Sequence, residues 1–450
     1  MHVSLAQALR VHSAQTVAFA GAGGKTTAMF LLAKQLPPPV IVTATSHLGA
    51  WQTQFADQHL IIDTPAALET MQPDLNGVTL ITGEVEGERT QPIDNSLLHW
   101  LHEYCGYHAI PLLIEADGSR GKPLKGWAHH EPPIPDFAEL VVQVLGMAGL
   151  GKPLHEDYVH RPNIFSGLSS LKPDELIPPE AIIRVITHQQ GGLKNIPLSA
   201  RRVVLLNQAD TPNLQSAGRR LAQSLLSEFD AAIISSLAQE RVFAVYEPVA
   251  GIILAAGGST RFGQPKQLLN WKGQPFVRAV AQTALEAGLA PVVVVTGANA
   301  DPVHSALAGL DVRVVHNADW ASGQGSSIGA GLASLLPSQA PGSRQRQPGG
   351  AIFLLTDQPQ ITPSVLRALV EKHAETLHPV VAPMVMDQRA NPVLFDRATF
   401  DDLLELKGDV GGRAIFHKHR VEYLPWHDDR MLLDVDTPEM YQRLLSDDTI

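Results

Sequence analysis

Cysteine is almost absent from this chain. The single Cys105 forms no internal disulfide and cannot supply a cysteine-built zinc site. It reads as a small buried hydrophobe in a protein of a reducing compartment. Basic residues are in the minority, 34 Lys+Arg against 45 Asp+Glu, for a formal charge of −11. That balance argues against non-specific nucleic-acid binding, which rests on neutralising phosphates with cations. Small anions held by local cations stay open. Long apolar runs are missing too. The most apolar internal stretch, "LVVQVLGMAGLG" at 140–151, is too short and too glycine-rich to cross a bilayer. The opening "MHVSLAQALRVHSAQ" lacks the charged start and apolar block of a signal peptide. These absences read as a soluble, cytoplasmic protein with no membrane and no nucleic-acid partner.

What is present is ordinary globular material in quantity. At 450 residues, 44% hydrophobic and 18% charged, the chain is too long for one core and reads as two domains. Short β-branched runs alternate with helical stretches throughout. In the first half they include "TVAFA" (16–20), "PLLIEA" (111–116), "ELVVQVL" (139–145), "RVVLLN" (202–207) and "AAIIS" (231–235). In the second they include "GIILAA" (251–256), "PVVVVTG" (291–297), "AIFLLTD" (351–357) and "HPVVAP" (378–383). Continuous apolar strands separated by helices mean parallel sheets covered on both faces, so both halves are α/β. The boundary is expected near residue 247, giving domains 1–247 and 248–450. The biased "PSQAPGSRQRQPGG" (337–350) reads as a surface loop.

In "VAGIILAAGGSTRFGQPK" (249–266) a strand delivers the chain to a turn of small residues, Ala255, Ala256, Gly257 and Gly258. Small side chains let backbone N–H groups approach phosphate oxygens. Arg261 and Lys266 then supply positive charge for a triphosphate, where charge accumulates during nucleotidyl transfer. Further on, "IFLLTDQP" presents Asp357 just past the carboxyl edge of a strand, where open α/β sheets place ligands. "LLDVDTPE" carries Asp434 and Asp436. Paired carboxylates from distant segments suit a Mg²⁺-bound triphosphate. Each aspartate also reads as a helix cap, and "DTPE" has the form of a capping sequence.

The stretches "LAAGGSTRFGQPKQLL", "NADWASGQGSSIGAGL", "LLTDQP", "NPVLF", "GDVGGRAIF" and "DVDTPEMY" together resemble the molybdenum cofactor cytidylyltransferase (MocA) family, across about 250–445. The resemblance implies a glycosyltransferase-A-like, Rossmann-like nucleotidyltransferase fold. It also implies the reaction CTP + Mo-molybdopterin → molybdopterin cytosine dinucleotide + diphosphate. By matched position, Leu254 to Gly258 with Ser259 form the nucleotide loop, and Arg261 and Lys266 hold the triphosphate. Ser327 lies near the cytosine. Asp357 binds Mg²⁺, with Asp436 rather than Asp434 as the second ligand. "LAAG" in place of "LAGG" favours a cytidylyl over a guanylyl branch. The chain departs from the family pattern at "RANPVLF" and at Gly412, both on the side expected to face the acceptor.

The first half opens with "VAFAGAGGKTT" (17–27). Here Gly21, Gly23 and Gly24 precede a helix whose N-terminus suits a β-phosphate. Lys25 is placed to reach β/γ oxygens and Thr26 to reach Mg²⁺. Phe19 stands where the usual phosphate-loop spacing asks for glycine, so the loop is shortened and resembles that of Mur-ligase-type ATPases. "LLIEADGSRGKPLKG" ends a strand with Glu115 and Asp117, the latter a candidate metal ligand. Arg120, Lys122 and Lys125 follow, as if to meet an anionic substrate. "VVLLNQAD" resembles the N-K-x-D base-reading motif through Asn207 and Asp210, with Gln208 replacing the lysine, so ATP and GTP both stay open. His129, His130, Glu131, His155 and His160 read as loop and packing residues rather than metal ligands.

With "TATSHL" (43–48) and "HHEPPIP" (129–135), these pieces resemble the YqeC family across about 10–245. That family is regarded as an accessory factor for selenium-dependent molybdenum hydroxylases. The combined expectation is a maturation factor with a molybdopterin-type cofactor and an apo molybdenum hydroxylase as partners. A transferase acting on another phosphorylated small molecule, and a nucleotide-switched cofactor-insertion chaperone, are the alternatives.

Overall fold

The computed structural model describes residues 3–67, 75–258, 262, 264–336 and 346–447. Ser259, Arg261 and most of the biased loop, 337–345, lie outside the described residues. The chain divides into two compact units, Met1–Tyr246 and Glu247–Ile450.

The N-terminal unit is built on a nine-stranded sheet. Its strands are β1 (Thr16–Gly21), β2 (Val40–Ala44), β3 (Gln58–Ile61), β4 (Val78–Thr82), β5 (Leu112–Glu115), β6 (Leu140–Gly146), β7 (Arg201–Asn207), β8 (Ala231–Ser236) and β9 (Arg241–Tyr246). They run in the order β9-β8-β7-β6-β1-β5-β2-β4-β3, and only β9 is antiparallel to its neighbour. Every residue of β1, β2 and β6 is buried, as the unbroken apolar runs require of parallel strands covered on both faces. β1 lies between β5 and β6, so the chain leaves it in opposite directions and opens a crevice beyond its carboxyl end. Helix α1 (Lys25–Gln35) starts there.

The C-terminal unit holds an eight-stranded sheet. β10 (Val249–Ala255) is flanked by β11 (Val292–Thr296), next to β12 (Arg313–His316), and by β13 (Gly350–Leu355). All four are parallel. Beyond β13 the sheet turns mixed. β15 (Val393–Asp396) is antiparallel to both β13 and β14 (Val380–Val385), and β16 (Val421–Pro425) is parallel to β14.

Alternation along these strands sends residues to two cores. Ile253, Ala255, Val292, Val294, Ile352 and Leu354 pack on one face against helices Phe276–Glu286 and Pro363–Thr376. Ile252, Val293, Val295 and Phe353 pack on the other against helix Gln324–Ala333. β10 is again the strand at which the winding reverses, so both glycine turns occupy the same topological position in their own units.

Candidate functional site

The C-terminal cleft forms where β10 and β13 end side by side. Leu254 is in register with Leu355. Two residues past Leu355 comes Asp357, and three past Leu254 comes Gly257. A cavity of about 500 Å³ is lined by Leu254, Ala256, Gly257, Gly258, Lys266, Trp320, Ser327 and Asp357 among others.

Lys266 sits in a 3₁₀ turn and bridges two acids from distant segments. Its Nζ donates to Asp436 Oδ1 at 2.7 Å and to Asp357 Oδ2 at 3.3 Å. Burial disfavours the ammonium, but the bond to Asp436 and the two carboxylate charges outweigh it and raise the lysine's pKa. Burial raises the Asp357 pKa, with Lys266 opposing and Asp436 adding to the rise. Asp357 Oδ1 is buried with no hydrogen-bond partner. A buried, unpaired carboxylate oxygen beside a second acid fits a divalent cation that keeps its remaining ligands as water and phosphate oxygens. Among the described residues no cluster of three or more His, Cys, Asp or Glu forms a closed metal cage. Asp434 points elsewhere, accepting from Gln358 Nε2 at 2.7 Å.

Three supports were not read from the sequence. Gln267, 3% exposed, donates through Nε2 to Ala255 O at 3.1 Å and Gly257 O at 2.6 Å, bracing the glycine turn. Asn317 donates through Nδ2 to Ser326 Oγ at 2.9 Å and Ser327 Oγ at 3.1 Å, fixing the serine that lines the cleft. The Trp320 ring packs over the turn: a Cβ on Gly258 would lie 3.4 Å from it. Amides and rings at such positions carry no local signature.

A second, more apolar hollow of about 290 Å³ shares Leu254, Gln324 and Leu355 with this cleft and reaches Asn391, Gly412 and Arg413. Gly412 has a packing reason: a Cβ there would stand 2.8 Å from the Phe395 ring. Arg413 Nη2 donates to Asn391 Oδ1 at 3.2 Å.

In the N-terminal unit a cleft of about 1140 Å³ opens beyond β1, lined at one end by Gly24, Lys25, Thr26 and Thr27. Lys25 Nζ donates to Gly21 O at 2.9 Å and lies 3.4 Å from Asp117 and 3.8 Å from Glu115. Thr26 Oγ1 donates to Glu115 Oε2 at 2.6 Å. Burial raises the Glu115 pKa, with Lys25 opposing.

Several residues have tasks other than those expected. Asp117 is fully buried and its oxygens are engaged: Oδ1 accepts from Gly21 N at 3.0 Å, and Oδ2 from Lys125 Nζ at 2.8 Å and Trp127 Nε1 at 3.0 Å. That leaves Glu115, not Asp117, as the acid facing Thr26. Lys125 is equally buried, so it braces Asp117 rather than meeting solvent. Asn207 donates through Nδ2 to Gly23 O at 2.8 Å, holding the glycine turn ahead of α1. Asp210 is exposed, accepts from Ser236 Oγ at 2.5 Å and is not among the cleft's lining. The pairing across from the loop was missed: Arg161 is hydrogen-bonded through both guanidinium nitrogens to Glu131. These two residues lie 30 positions apart in separate loops.

Fold and sites together define two α/β units, the second with the acid–lysine cleft of a nucleotidyltransferase. Residues 17–163 match the family described as YqeC protein, and residues 251–423 match the MobA-like NTP transferase domain. The chain therefore belongs to the YqeC family through its N-terminal unit and to the MobA-like NTP transferases through its C-terminal one. It is 31% identical to YqeC of Escherichia coli K12 over 42% of this chain and 75% of that protein. It is 32% identical to nicotine blue oxidoreductase of Paenarthrobacter nicotinovorans over 44% of this chain and 96% of that protein. A probable molybdenum cofactor guanylyltransferase of Bacillus cytotoxicus is 33% identical over 18% of this chain and 39% of that protein. Among the described residues no helix is long and apolar enough to cross a membrane.

Proposed function

We propose that the C-terminal unit transfers the cytidylyl group of CTP to a molybdopterin-type cofactor, releasing diphosphate. The N-terminal unit binds ATP or GTP and serves maturation of a selenium-dependent molybdenum hydroxylase. The observation that carries the transferase reading is the convergence of Lys266 and Asp357 beside Gly257 in one cleft, with Asp436 bonded to the same lysine. The molybdenum cofactor guanylyltransferase among the relatives supports the acceptor class.

In this reading the turn from Leu254 to Gly258 takes the nucleotide, and Gln267 keeps its carbonyls aimed. Ser327, fixed by Asn317, faces the base. Asp357 and Asp436 hold Mg²⁺, which when bound neutralises charge on the phosphates. Lys266 then turns from the acids to the triphosphate and stabilises charge on the departing diphosphate. Arg261 adds a second cation. The acceptor's terminal phosphate attacks the α-phosphate from the apolar hollow, where Asn391 and Arg413 orient it. Positioning and electrostatics supply the rate. Such a cluster suits phosphate chemistry.

In the N-terminal unit Lys25 meets the β/γ-phosphates, and Thr26 with Glu115 holds the metal. Incubating the protein with Mg–CTP and purified molybdopterin cofactor, with mass spectrometry of the products, tests the transfer. The expected product is the cytosine dinucleotide. Diphosphate release only with another phosphorylated acceptor would redirect the reading.

A further inference from the structure

The N-terminal cleft is larger than a nucleotide needs. Its volume of about 1140 Å³ exceeds the roughly 300–1,000 Å³ usual for one small-molecule site. The Lys25 loop lines part of it. Arg120, His130, Glu131, His160 and Arg161 line it as well, and the nucleotide reading uses none of them.

That second group of residues is built, not incidental. Glu131, 9% exposed, accepts from Arg161 Nη2 at 3.1 Å and from the buried Lys125 Nζ at 3.1 Å. Lys125 continues to Asp117, and Asp117 to Lys25. An unbroken chain of ion pairs thus runs from the partly exposed Arg161 through the buried Lys125 and Asp117 to Lys25. Arg120 adds a cation with no ion-pair partner among the described residues. The four cations Lys25, Lys125, Arg161 and Arg120 outnumber the three acids Glu115, Asp117 and Glu131 by one. Arg120 and Arg161 are both held in the left-handed region, at φ 51 and 61. That conformation is unfavourable for a non-glycine residue and is kept by the surrounding structure. The field here is positive: burial and then the charges of Arg161 and Lys125 push the His160 pKa down to about 4.

We propose that the cleft holds two ligands at once, a nucleotide on the Lys25 loop and a second small molecule bound through a phosphate or carboxylate group by Arg120 and Arg161. Glu131 and Lys125 fix the Arg161 guanidinium, leaving its outer edge to the anion. Arg120 closes on the anion from the solvent side. The proposal rests on the nucleotide reading of the Lys25 loop only for the identity of the first ligand.

The test uses the full chain carrying Lys266→Ala, so that the C-terminal cleft contributes little anion binding. Calorimetry with Mg–AMP-PNP and, separately, Mg–GMP-PNP first reports the Lys25 loop, with Lys25→Ala as its control; no binding of either defeats the nucleotide reading alone. ³¹P NMR of inorganic phosphate then reports the second site, with whichever analogue binds held at saturation. Phosphate binding is expected to persist under that analogue and to weaken at least about ten-fold in Arg120→Ala. Arg120→Lys should recover part of it. Because Arg120 is exposed, its loss leaves the core intact. Competition by acetate assigns the site to carboxylates as well; failure to compete assigns it to phosphate esters. Complete displacement of phosphate by that analogue, equal affinity in Arg120→Ala, or no binding of either anion overturns the proposal.

Discussion

A Cβ placed on Gly23 would stand 2.4 Å from Gly146 N, and the residue's φ is 84; a Cβ placed on Gly257 would meet nothing within 4 Å. The two glycine turns sit at equivalent switch points of their sheets, yet their glycines serve different ends. In the N-terminal turn the fold itself demands glycine, through positive φ and the backbone pressed against it. In the C-terminal turn the space over Gly257 belongs to whatever enters the cleft. The lysines differ in the same sense. Lys25 is buried and held by Gly21 O of its own loop. Lys266 is partly exposed and is bonded to carboxylates brought from 91 and 170 residues away. Both sites draw acids from distant segments; the N-terminal lysine is in addition buried and tied to a carbonyl of its own loop.

The sharpest way to break this contrast is to remove an assembling acid. Asp357→Ala is expected to lower Mg²⁺-dependent transfer from CTP about 10³-fold, a loss of several kcal/mol of charge stabilisation, with the melting curve little changed. Turnover within ten-fold of wild type would take Asp357 out of the mechanism. Next in size, Lys25→Ala should abolish ATP or GTP binding by the N-terminal unit yet leave cytidylyl transfer within two-fold, as measured by calorimetry and product formation. A matching collapse of transfer would show that the sites do not act separately.

The glycine comparison has its own test. Gly23→Ala should destabilise the N-terminal unit by about 2–4 kcal/mol through strain and backbone overlap, whereas Gly257→Ala should stay within about 1 kcal/mol and raise the KM for CTP instead. Denaturant melts and steady-state kinetics separate the two. The smallest effect concerns Cys105, whose thiol is pushed up to about 12 by burial. Burial disfavours the charged thiolate, so the onset of reactivity moves to higher pH. At pH 8 the native thiol should resist alkylation and react only as the N-terminal unit opens. Gly23→Ala should therefore speed its labelling, and Gly257→Ala should not.

Much of this was legible in the chain because it is local. Apolar runs ending in glycine turns place the two switch-point strands, and Asp357 follows two residues after the apolar run of β13; that Lys266 is bonded to Asp357 and Asp436 is a tertiary fact. Ser259 and Arg261 lie outside the described residues. Gln267 and Asn317 escaped because an amide that braces a carbonyl or a hydroxyl looks like any polar residue until its partner is known. Glu131 and Arg161 escaped for a related reason. The run "HHEPPIP" and the segment "HRPN" each read as loops, and their pairing across 30 positions carries no periodicity. Asp117 and Asp210 illustrate the converse, since motif position suggested ligand contact while burial on one hand and a serine partner on the other gave them other contacts.

The account's central claim is that Lys266, Asp357 and Asp436 gather a metal-bound CTP for transfer. Its most direct test presents wild-type protein, Mg²⁺ and molybdopterin cofactor with ATP, GTP, CTP and UTP in separate reactions and weighs the products. The account predicts a cytosine dinucleotide with equimolar diphosphate from CTP, and at most traces from the other three. A guanine dinucleotide as the main product, or no dinucleotide from any of the four, would contradict it.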